Sequence, residues 1–302
     1  MTDAALGRPG LWRRLRASLS TPAVASEPAR PAETSPRPRV ALVGAGPGAA
    51  DLITLRGLAR LREAAVVVHD RLVDPALLAC ASPRAEMIDV GKAPGRHPWP
   101  QSRIDRLIVA KALQGLAVVR LKGGDPSIFG RGAEEIAALA AAGVAVEIVP
   151  GVTAASAAAA DLGRPLTDRH GARSLLLVSG HPAAGAAPVD WSALAATGAR
   201  LGIYMGVAQA GAIAVALRRA GLAADTPVEI VERAGTATAR ASRAMLATLD
   251  RTIVERGVEN PAILLIDTAP AAGSGGPAAT TEAGRPARAA PRPGRHRATG
   301  RA

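Results

Sequence analysis

The sequence predicts an α/β fold with two lobes. Short apolar runs alternate with helical patterns along the chain, and this alternation occurs twice, before and after a helix of small residues at 153–161. The apolar runs are continuous, as is typical of parallel strands that are buried on both faces. Because 302 residues suffice for two domains of ordinary size, we expect each lobe to contain a mainly parallel sheet flanked by helices.

The first lobe is assigned to residues 39–160. Its strands are predicted from five apolar runs, and its helices from the patterns between them. The predicted strands are VALVG (40–44), VVVHD (66–70), EMIDV (86–90), AVVRL (117–121) and VEIV (146–149). The predicted helices are 55–64, a stripe at 104–111, 134–142 and 153–161. This is the alternation expected of an α/β lobe.

The second lobe is assigned to residues 161–270, with the boundary somewhere between 155 and 173. The predicted strands are SLLLVSG (174–180), LGIYMG (201–206), PVEIVE (227–232) and AILLID (262–267). The predicted helices are 209–220 and a stretch near 245–256. The same alternation of strand and helix therefore continues to the end of the body.

Two segments outside the lobes carry most of the positive charge. Residues 1–38 hold six Arg against three acids, and residues 271–302 hold six Arg against one Glu. Together they contribute +8 of the net charge of +12, and their Pro, Gly and Arg content predicts two disordered tails. The body is only weakly basic and aromatic residues make up 2% of the chain, so no nucleic-acid partner is expected.

Other features of the composition exclude further classes of protein. No run of about 18 apolar residues occurs, so neither a membrane-spanning helix nor a membrane partner is expected. The single cysteine, Cys80, excludes an intrachain disulfide and suits a cytoplasmic protein. The five histidines lack metal-binding spacing, so no metal is expected.

The loop GAGPGA (44–49) directly follows the first strand. Its glycines permit positive φ angles and let a ligand approach the backbone closely. The spacing also satisfies the loose dinucleotide-binding form G-x-G-x-x-A, with Asp70 where a ribose-binding acid would lie. A nicotinamide or flavin oxidoreductase is therefore one candidate, and a tight turn without a ligand is another. Pro47 weighs against a dinucleotide because it removes one backbone N–H from the loop.

Four further strand ends carry glycine-rich or polar loops, and ligands of parallel α/β sheets bind at the carboxyl ends of strands. KGGDP (122–126) follows the fourth predicted strand, and PGVTA (150–154) follows the fifth. Asp70 and Lys92 follow the second and third strands, where a carboxylate can accept a proton and an ammonium group can donate one. Each of these loops alone also fits a plain turn, a helix cap or a surface ion pair.

Taken together, these segments resemble one family. The segments in order are VGAGPG, VVVHDRLV, DVGKAPGRH, VVRLKGGDPSIFGRG, VPGVTAASAAAA, PLTDR, VSGH, YMG and PVEIVE. The set resembles the S-adenosylmethionine-dependent tetrapyrrole methylases, and among them the uroporphyrinogen-III C-methyltransferases. The resemblance covers residues 39–267, and a run of eight or nine motifs in order is far more specific than any one of them.

The resemblance implies a two-lobed fold that is not a Rossmann fold, with the active site in the cleft between the lobes, and usually a homodimer. It implies S-adenosylmethionine as the methyl donor and uroporphyrinogen III as the acceptor. Methylation at carbons 2 and 7 would give precorrin-2 by way of precorrin-1, for sirohaem or cobalamin biosynthesis. Another corrin-pathway methyltransferase is the nearest alternative, and an NAD-dependent oxidoreductase is a more distant one. Some relatives carry a dehydrogenase and chelatase module first; with 38 residues before the body, we expect none here.

The same resemblance assigns roles to individual residues. Asp70 matches the proton acceptor, and Lys92 matches the proton donor. The residues that match positions facing the tetrapyrrole are Arg71, Glu134 and Arg169. Those that match cofactor-binding positions are Pro47, Gly123, Gly124, Asp125, Ile128, Thr153, Ala154, Met205 and Ala234. The sequence departs from the family pattern at His69, Ser127 and Arg164, and at Ala234, where many relatives have Gly.

Overall fold

The computed structural model describes residues 40–91, 99–169, 171–181, 185 and 187–269. The two tails assigned from the sequence, and Lys92, lie outside these residues. The described chain divides into two units. The first contains the residues up to Ala157 together with Gly235–Thr238, and the second contains Ala158–Ala234 and the residues from Ala239 onward.

The first unit is built on a parallel sheet. Its strands are β1 (Val40–Gly44), β2 (Val66–His69), β3 (Glu86–Asp89), β4 (Val118–Lys122) and β5 (Val146–Val149). Its helices are α1 (Leu55–Glu63), α2 (Pro75–Leu78), α3 (Gln101–Leu113), α4 (Gly132–Ala141) and α5 (Ala154–Asp161), which extends into the second unit. The strand order is β3-β2-β4-β1-β5, and every pair is parallel. All five carboxyl ends therefore lie at one edge of the sheet.

Both faces of this sheet are buried along β2, β4 and β1, which explains the continuous apolar runs of these three strands. Successive side chains of a strand point to opposite faces. Along β1, Val43 packs in one cluster with Leu61 of α1, whereas Leu42 packs in another with Ile108 of α3. The helices on the two faces thus hold the strands in place from both sides.

The second unit is built on a mixed sheet. Its strands are β6 (Leu175–Ser179), β7 (Arg200–Tyr204), β8 (Pro227–Glu232), β9 (Arg240–Met245) and β10 (Ala262–Asp267), in the order β6-β7-β10-β8-β9. Its helices are α6 (Trp191–Ala196), α7 (Ala210–Arg219) and α8 (Leu249–Glu255). Ile203, Ile213, Ile230 and Leu264 are among the residues of its core cluster.

The prediction of a mainly parallel sheet is wrong for the second unit. Among the described strands only β6 and β7 pair in parallel, whereas β10 is antiparallel to β7 and β8, and β9 is antiparallel to β8. The run AILLID of β10 is buried along nearly its whole length because the strand is central, and burial does not reveal direction. β9 lacks the apolar run that predicts a strand, because RASRAM is largely exposed at the sheet edge.

The α/β class predicted from the sequence is confirmed. β7 and β8 are both antiparallel to β10, so they run in the same direction as each other and as β6. Each unit therefore gathers several carboxyl strand ends at one edge of its sheet. In the part of the chain that the structure describes, no helix combines the length and the apolar content needed to cross a bilayer.

Candidate active site

The loops that follow β1 and β4 are joined by backbone hydrogen bonds. The amide of Ala45 donates to the carbonyl of Lys122 at 2.8 Å. Gly46 and Gly124 donate to each other's carbonyls, with N···O distances of 3.2 and 2.7 Å. Because β1 and β4 are neighbours in the sheet, GAGPGA and KGGDP form one continuous piece of backbone at its carboxyl edge.

Glycine is required where these loops meet the loop after β5. A Cβ built on Gly151 would lie 2.2 Å from the carbonyl oxygen of Gly124, and one built on Gly44 would lie 2.6 Å from the Cα of Gly151. Gly46 has a φ of +81° and Gly124 a φ of +70°, which side-chain-bearing residues rarely adopt. At Gly44 and Gly151, therefore, close backbone packing is the reason for glycine.

The backbone of Gly123 and Gly124 is open on the other side. A Cβ added to Gly124 would meet no atom of the described chain within 4 Å, and one added to Gly123 would meet Leu72 Cβ at 3.4 Å, an ordinary contact. Local crowding does not explain these two glycines, although the positive φ of Gly124 by itself favours glycine at that position. They leave room for a ligand to approach the main chain closely, which fits the cofactor-binding role predicted for them.

The carboxylate of Asp125 joins two of the loops. One oxygen accepts a hydrogen bond from the amide of Gly151 at 3.0 Å. The other accepts hydrogen bonds from the amide of Ser127, at 2.8 Å, and from the Ser127 hydroxyl. Asp125 is buried, so these bonds are shielded from water. Its carboxylate thus holds KGGDP against PGVTA, and Ser127, one of the departures from the family pattern, provides two of the donors.

Ile128, Thr153 and Ala154 are half-buried beside these loops. The amide of Ile128 donates to the carbonyl of Asp125 at 3.1 Å, which closes the turn after the two open glycines. The carbonyl of Thr153 accepts the amide of Ser156 at 3.0 Å, and α5 begins at the next residue, Ala154. The structure therefore brings these three candidates to the same edge of the sheet.

Pro47 packs against a segment from much later in the chain. The amide of Ala49 donates to the carbonyl of Gly235 at 3.0 Å. Gly235 has a φ of +74°, and a Cβ added to it would lie 2.9 Å from both Pro47 Cγ and Leu52 Cδ1. The segment Gly235–Thr238 thus covers the GAGPGA loop as part of the first unit.

Met205 and Ala234 lie after the carboxyl ends of β7 and β8 in the second unit. Met205 is exposed and has a φ of +55°. Ala234 is buried and is flanked by two residues of positive φ, Arg233 and Gly235. Such strained backbone in residues other than glycine concentrates at ligand-binding sites, so the structure supplies a reason to keep both positions as candidates.

Asp70 is the half-buried outer end of a line of charged side chains whose other members are buried. Its Oδ1 accepts a hydrogen bond from Arg120 Nη2 at 2.5 Å. Arg120 Nε donates to Glu135 Oε1 at 2.8 Å, and Lys122 Nζ donates to Glu135 Oε2 at 2.8 Å. Arg120, Lys122 and Glu135 are all buried. In the described part of the chain, the second carboxylate oxygen of Asp70 accepts no hydrogen bond.

Sequence reasoning missed Arg120, Lys122 and Glu135. A signal was present in the strand, because Arg120 and Lys122 interrupt the otherwise apolar run of β4 and alternate side chains share one face. Burial lowers the pKa of Lys122, and repulsion from Arg120 lowers it further, while Glu135 counteracts both. Buried charges of this kind need partners, which the sequence pattern alone does not identify.

The substrate-facing candidates are distributed over both units. Arg71 is exposed next to Asp70, and the backbone of Gly91 lies against it, since a Cβ on Gly91 would come within 2.5 Å of Arg71 Cβ. Glu134 is in the first turn of α4, and both its oxygens accept hydrogen bonds from Arg131 at 2.7 Å. The hydrogen bond from Arg131 lowers the pKa of Glu134. Arg169 is exposed in the second unit after α5.

The proton donor expected at Lys92 lies outside the described residues. Within the ranges that the structure describes, no three His, Cys, Asp or Glu side chains are grouped in a way that could hold a metal ion. The prediction of a metal-free site stays a prediction.

The arrangement in the first unit combines a ligand-accessible backbone with a fixed carboxylate. The same edge of the sheet is formed by the carboxyl ends of β1, β2, β4 and β5. Asp70 directly follows β2, which is the neighbour of β4 in the sheet. Such an edge can bind a small cofactor through main-chain groups and place a base near a second reactant. A parallel α/β unit with these loops defines a class of proteins that bind cofactors on glycine-rich strand ends.

Comparison with known proteins shows which family of this class the chain belongs to. A sequence model of the Tetrapyrrole (Corrin/Porphyrin) Methylases matches residues 39–250, and this chain belongs to that family. It is 45% identical over 229 residues to the uroporphyrinogen-III C-methyltransferase of Paracoccus denitrificans, covering 76% of this chain and 80% of that protein. It is 46% identical over 227 residues to the siroheme synthase of Sodalis glossinidius, covering 75% of this chain but 48% of that protein.

A solved structure shows the same fold. The uroporphyrin-III C-methyltransferase of Thermus thermophilus, crystallised with S-adenosyl homocysteine, matches with a TM-score of 0.66 and 42% identity. The match covers 76% of this chain and 97% of the Thermus chain. The present chain spans about half the length of the siroheme synthases that it matches, 48% in the Sodalis protein.

Proposed function

We propose that this protein is a uroporphyrinogen-III C-methyltransferase. It uses S-adenosylmethionine to methylate uroporphyrinogen III at carbons 2 and 7, and it gives precorrin-2 by way of precorrin-1 for sirohaem or cobalamin biosynthesis. The observation that carries the proposal is the open backbone of Gly123 and Gly124 at the carboxyl edge of the sheet. The 45% identity to the Paracoccus uroporphyrinogen-III C-methyltransferase supports the choice of substrate.

The cofactor would be held mainly by backbone and apolar groups. The open main chain at Gly123 and Gly124 fits this role because close approach to peptide groups needs the absence of Cβ atoms. The other residues proposed to hold it are Pro47, Asp125, Ile128, Thr153, Ala154, Met205 and Ala234. Bound S-adenosylmethionine supplies a methyl group that is already activated on a sulfonium, so the task of the protein is to orient the acceptor carbon.

Asp70 is proposed to accept the proton that the methylated macrocycle releases. Arg120 holds one of its oxygens, and a carboxylate held in this way presents its second oxygen in a defined direction. Lys92 is proposed as the proton donor when the double bonds rearrange. General acid–base catalysis of this kind contributes roughly 10²–10⁴-fold to a rate.

The exposed arginines suit a polyanionic substrate. Uroporphyrinogen III bears eight carboxylates, and a guanidinium binds a carboxylate through two parallel N–H groups. Arg71 and Arg169 are exposed and are proposed to bind these groups. Glu134 is proposed to face the macrocycle as well, with its charge balanced by Arg131.

The protein is further proposed to act as a cytoplasmic homodimer without a metal ion. Light scattering on the purified chain would measure its mass in solution, and a monomer at micromolar concentration would contradict the dimer. Full activity after exhaustive treatment with a chelator is the outcome expected of a metal-free site.

The decisive experiment is an anaerobic incubation with uroporphyrinogen III and S-adenosylmethionine, followed by mass measurement of the tetrapyrrole. We expect a product with two added methyl groups. An unmodified tetrapyrrole would contradict the proposal, and methylation of later corrin intermediates alone would favour another enzyme of the same family. Binding of labelled NAD in place of labelled S-adenosylmethionine would favour the oxidoreductase.

Asp70→Asn is the matched variant for this experiment. It keeps the size of the side chain and an oxygen that can accept from Arg120, but it removes the base. We expect it to bind S-adenosylmethionine as the wild type does and to form product at least about 100-fold more slowly. Product formation at the wild-type rate would exclude Asp70 as the proton acceptor.

A further inference from the structure

We propose that Glu135 and Lys122 act through Arg120 as positioning residues for the Asp70 carboxylate, and that their opposite charges balance the charge that Asp70 experiences. The chemical meaning of this inference rests on the proposed function of Asp70 as a base. The arrangement itself can be tested without any substrate.

The four side chains form a line of alternating charge that leads out of the protein interior. Lys122 binds one oxygen of Glu135 at 2.8 Å, and Arg120 Nε binds the other at 2.8 Å. Arg120 then binds Asp70 through Nη2 at 2.5 Å. The side chains of Lys122, Arg120 and Glu135 are at most 3% exposed, whereas that of Asp70 is 33% exposed. Asp70 is thus the end of the line that a solvent-borne reactant can reach.

Arg120 is held too firmly to follow Asp70 if that carboxylate moves. Its Nη1 donates to the main-chain carbonyls of Val68 and Leu121, at 3.4 and 3.1 Å. Together with the bond from Nε to Glu135, these contacts fix the plane of the guanidinium. A planar donor group fixed on three sides dictates where the carboxylate it binds must lie. Glu135 therefore contributes to the placement of Asp70 without touching it.

Glu135 also determines how much of the positive charge of Arg120 acts on Asp70. A guanidinium beside a carboxylate stabilises the charged form and makes the carboxylate a weaker base. Glu135 offsets this charge from the other side, and Lys122 in turn offsets Glu135. Because the three inner groups are buried, these effects are screened much less than at the surface.

Other groups also face this line. His69 Nδ1 lies 3.3 Å from the carbonyl oxygen of Asp70, and Arg71 follows Asp70 in the chain. From α3, Gln101 Nε2 donates to Glu135 Oε1 at 3.4 Å and to Asp105 Oδ1 at 2.8 Å. Gln101 is neutral, and Asp105 contacts Gln101 rather than the line itself. Glu135 and Lys122 are therefore the two charges that a test of the line should remove.

The test compares Glu135→Gln, Lys122→Met and the double variant. The first raises the net charge of the buried line by one, the second lowers it by one, and the double variant restores it. Asp70 is titrated by the ¹³C signal of its labelled carboxyl group, which is assigned from its loss in Asp70→Asn. The pH dependence of kcat/KM for methyl transfer provides the second readout.

We expect Glu135→Gln to move the midpoint of the Asp70 ¹³C titration to lower pH and Lys122→Met to move it to higher pH. The double variant should return it close to the wild-type value, and the acidic limb of the kcat/KM profile should move in the same way. If Glu135 and Lys122 had only a structural role, the double variant would differ from the wild type more than either single variant does, both in the Asp70 titration and in the kcat/KM profile. An Asp70 pKa that is the same in all folded variants would overturn the inference.

The design separates this inference from the proposed function. Absence of methyl transfer by the wild type would reject the function but leave the titration of Asp70 measurable. Normal methyl transfer with an unmoved Asp70 pKa would reject the inference alone. If Glu135→Gln fails to fold, the comparison of Lys122→Met with the double variant still reports the effect of Glu135, and an Asp70 pKa equal in these two would overturn the inference.

Discussion

Gly123 and Gly151 belong to one loop cluster but are glycines for different reasons. A Cβ on Gly151 would lie 2.2 Å from the backbone oxygen of Gly124, whereas one on Gly123 would meet only Leu72 at 3.4 Å. We predict that Gly151→Ala lowers the free energy of unfolding by about 1–3 kcal/mol, because two backbones must move apart. Gly123→Ala should retain stability and weaken the binding of S-adenosylmethionine by about tenfold or more.

Urea unfolding and titration calorimetry measure these two effects separately. Each variant is the control for the other, since both add one methyl group to the same cluster. Wild-type affinity for the cofactor in Gly123→Ala would show that no ligand approaches this backbone.

Arg164 stands where the family pattern is apolar, and the structure shows what its charge does. Its Nη2 donates to Glu229 of β8, which is buried and also accepts from the exposed Arg243 at 3.2 Å. Arg164→Ile should destabilise the protein by about 1–2 kcal/mol, because the exposed Arg243 is then the one side-chain donor left to Glu229 among the described residues.

The paired variant Arg164→Ile with Glu229→Val removes both charges of this contact. We expect it to recover most of the stability in urea unfolding, because no buried carboxylate remains without a partner. Equal losses in the single and double variants would mean that the contact between Arg164 and Glu229 is not what stabilises this part of the sheet.

At the scale of elements, a buried carboxylate links β8 to β9 in addition to their backbone pairing. Glu232 accepts two hydrogen bonds from Arg240, which is opposite it in the register, and one from the amide of Glu259. Burial opposes the charged form of Glu232, but the bonds from Arg240 and from the amide of Glu259 outweigh it and hold the pKa below its ordinary value of 4.5.

The direction of the pH effect follows from that lowered pKa. A carboxylate whose pKa is lower in the folded state stabilises the protein above the unfolded value, and it loses this effect as pH falls through the folded value. Glu232→Gln should therefore cost about 1–2 kcal/mol at pH 7, and this difference from the wild type should shrink below pH 4.5. Urea unfolding between pH 3.5 and 7 measures it; a difference that is independent of pH would contradict the prediction.

The elements show how far local sequence patterns reach. Among the described residues, nine strands lie where apolar runs predict them. β1 has the predicted ends, Val40–Gly44, whereas β7, predicted at 201–206, is Arg200–Tyr204. β9 is missing from the prediction because an edge strand needs few apolar side chains. The antiparallel placement of β10 could not be predicted either, because direction depends on which strands pair across the sheet rather than on the strand itself.

The same limit applies to the candidate site. The glycine loops and Asp70 are recognisable because their residue types and positions after strands have a local meaning. Glu135 looks like any helical glutamate beside Glu134, yet it is fully buried while Glu134 is exposed on the helix surface. Only the packing of α4 against the sheet distinguishes them, and two adjacent acids in a sequence do not indicate which of the two will be buried.

At the scale of the whole molecule, the two terminal segments carry most of the positive charge. Residues 1–38 and 271–302 contribute +8 of the net charge of +12. We predict that a chain without them binds S-adenosylmethionine and forms product as the full chain does. Its adsorption to a polyanion such as heparin should weaken, with elution at lower salt, because fewer counterions are released on contact. A large loss of methyl transfer would show that these segments take part in the reaction.

The contacts that join the two glycine loops have a consequence for redesign. The hydrogen bonds among Ala45, Lys122, Gly46 and Gly124 use main-chain atoms alone. The shape of the backbone cradle that GAGPGA and KGGDP form is therefore independent of most side chains around it. An attempt to fit a bulkier analogue of the methyl donor should therefore vary side chains that border the cradle, such as Ile128, and keep every loop at its present length. One inserted residue would misalign all the hydrogen-bonded backbone groups of the two loops at once. A changed side chain would alter only the shape of the surface that faces the cofactor.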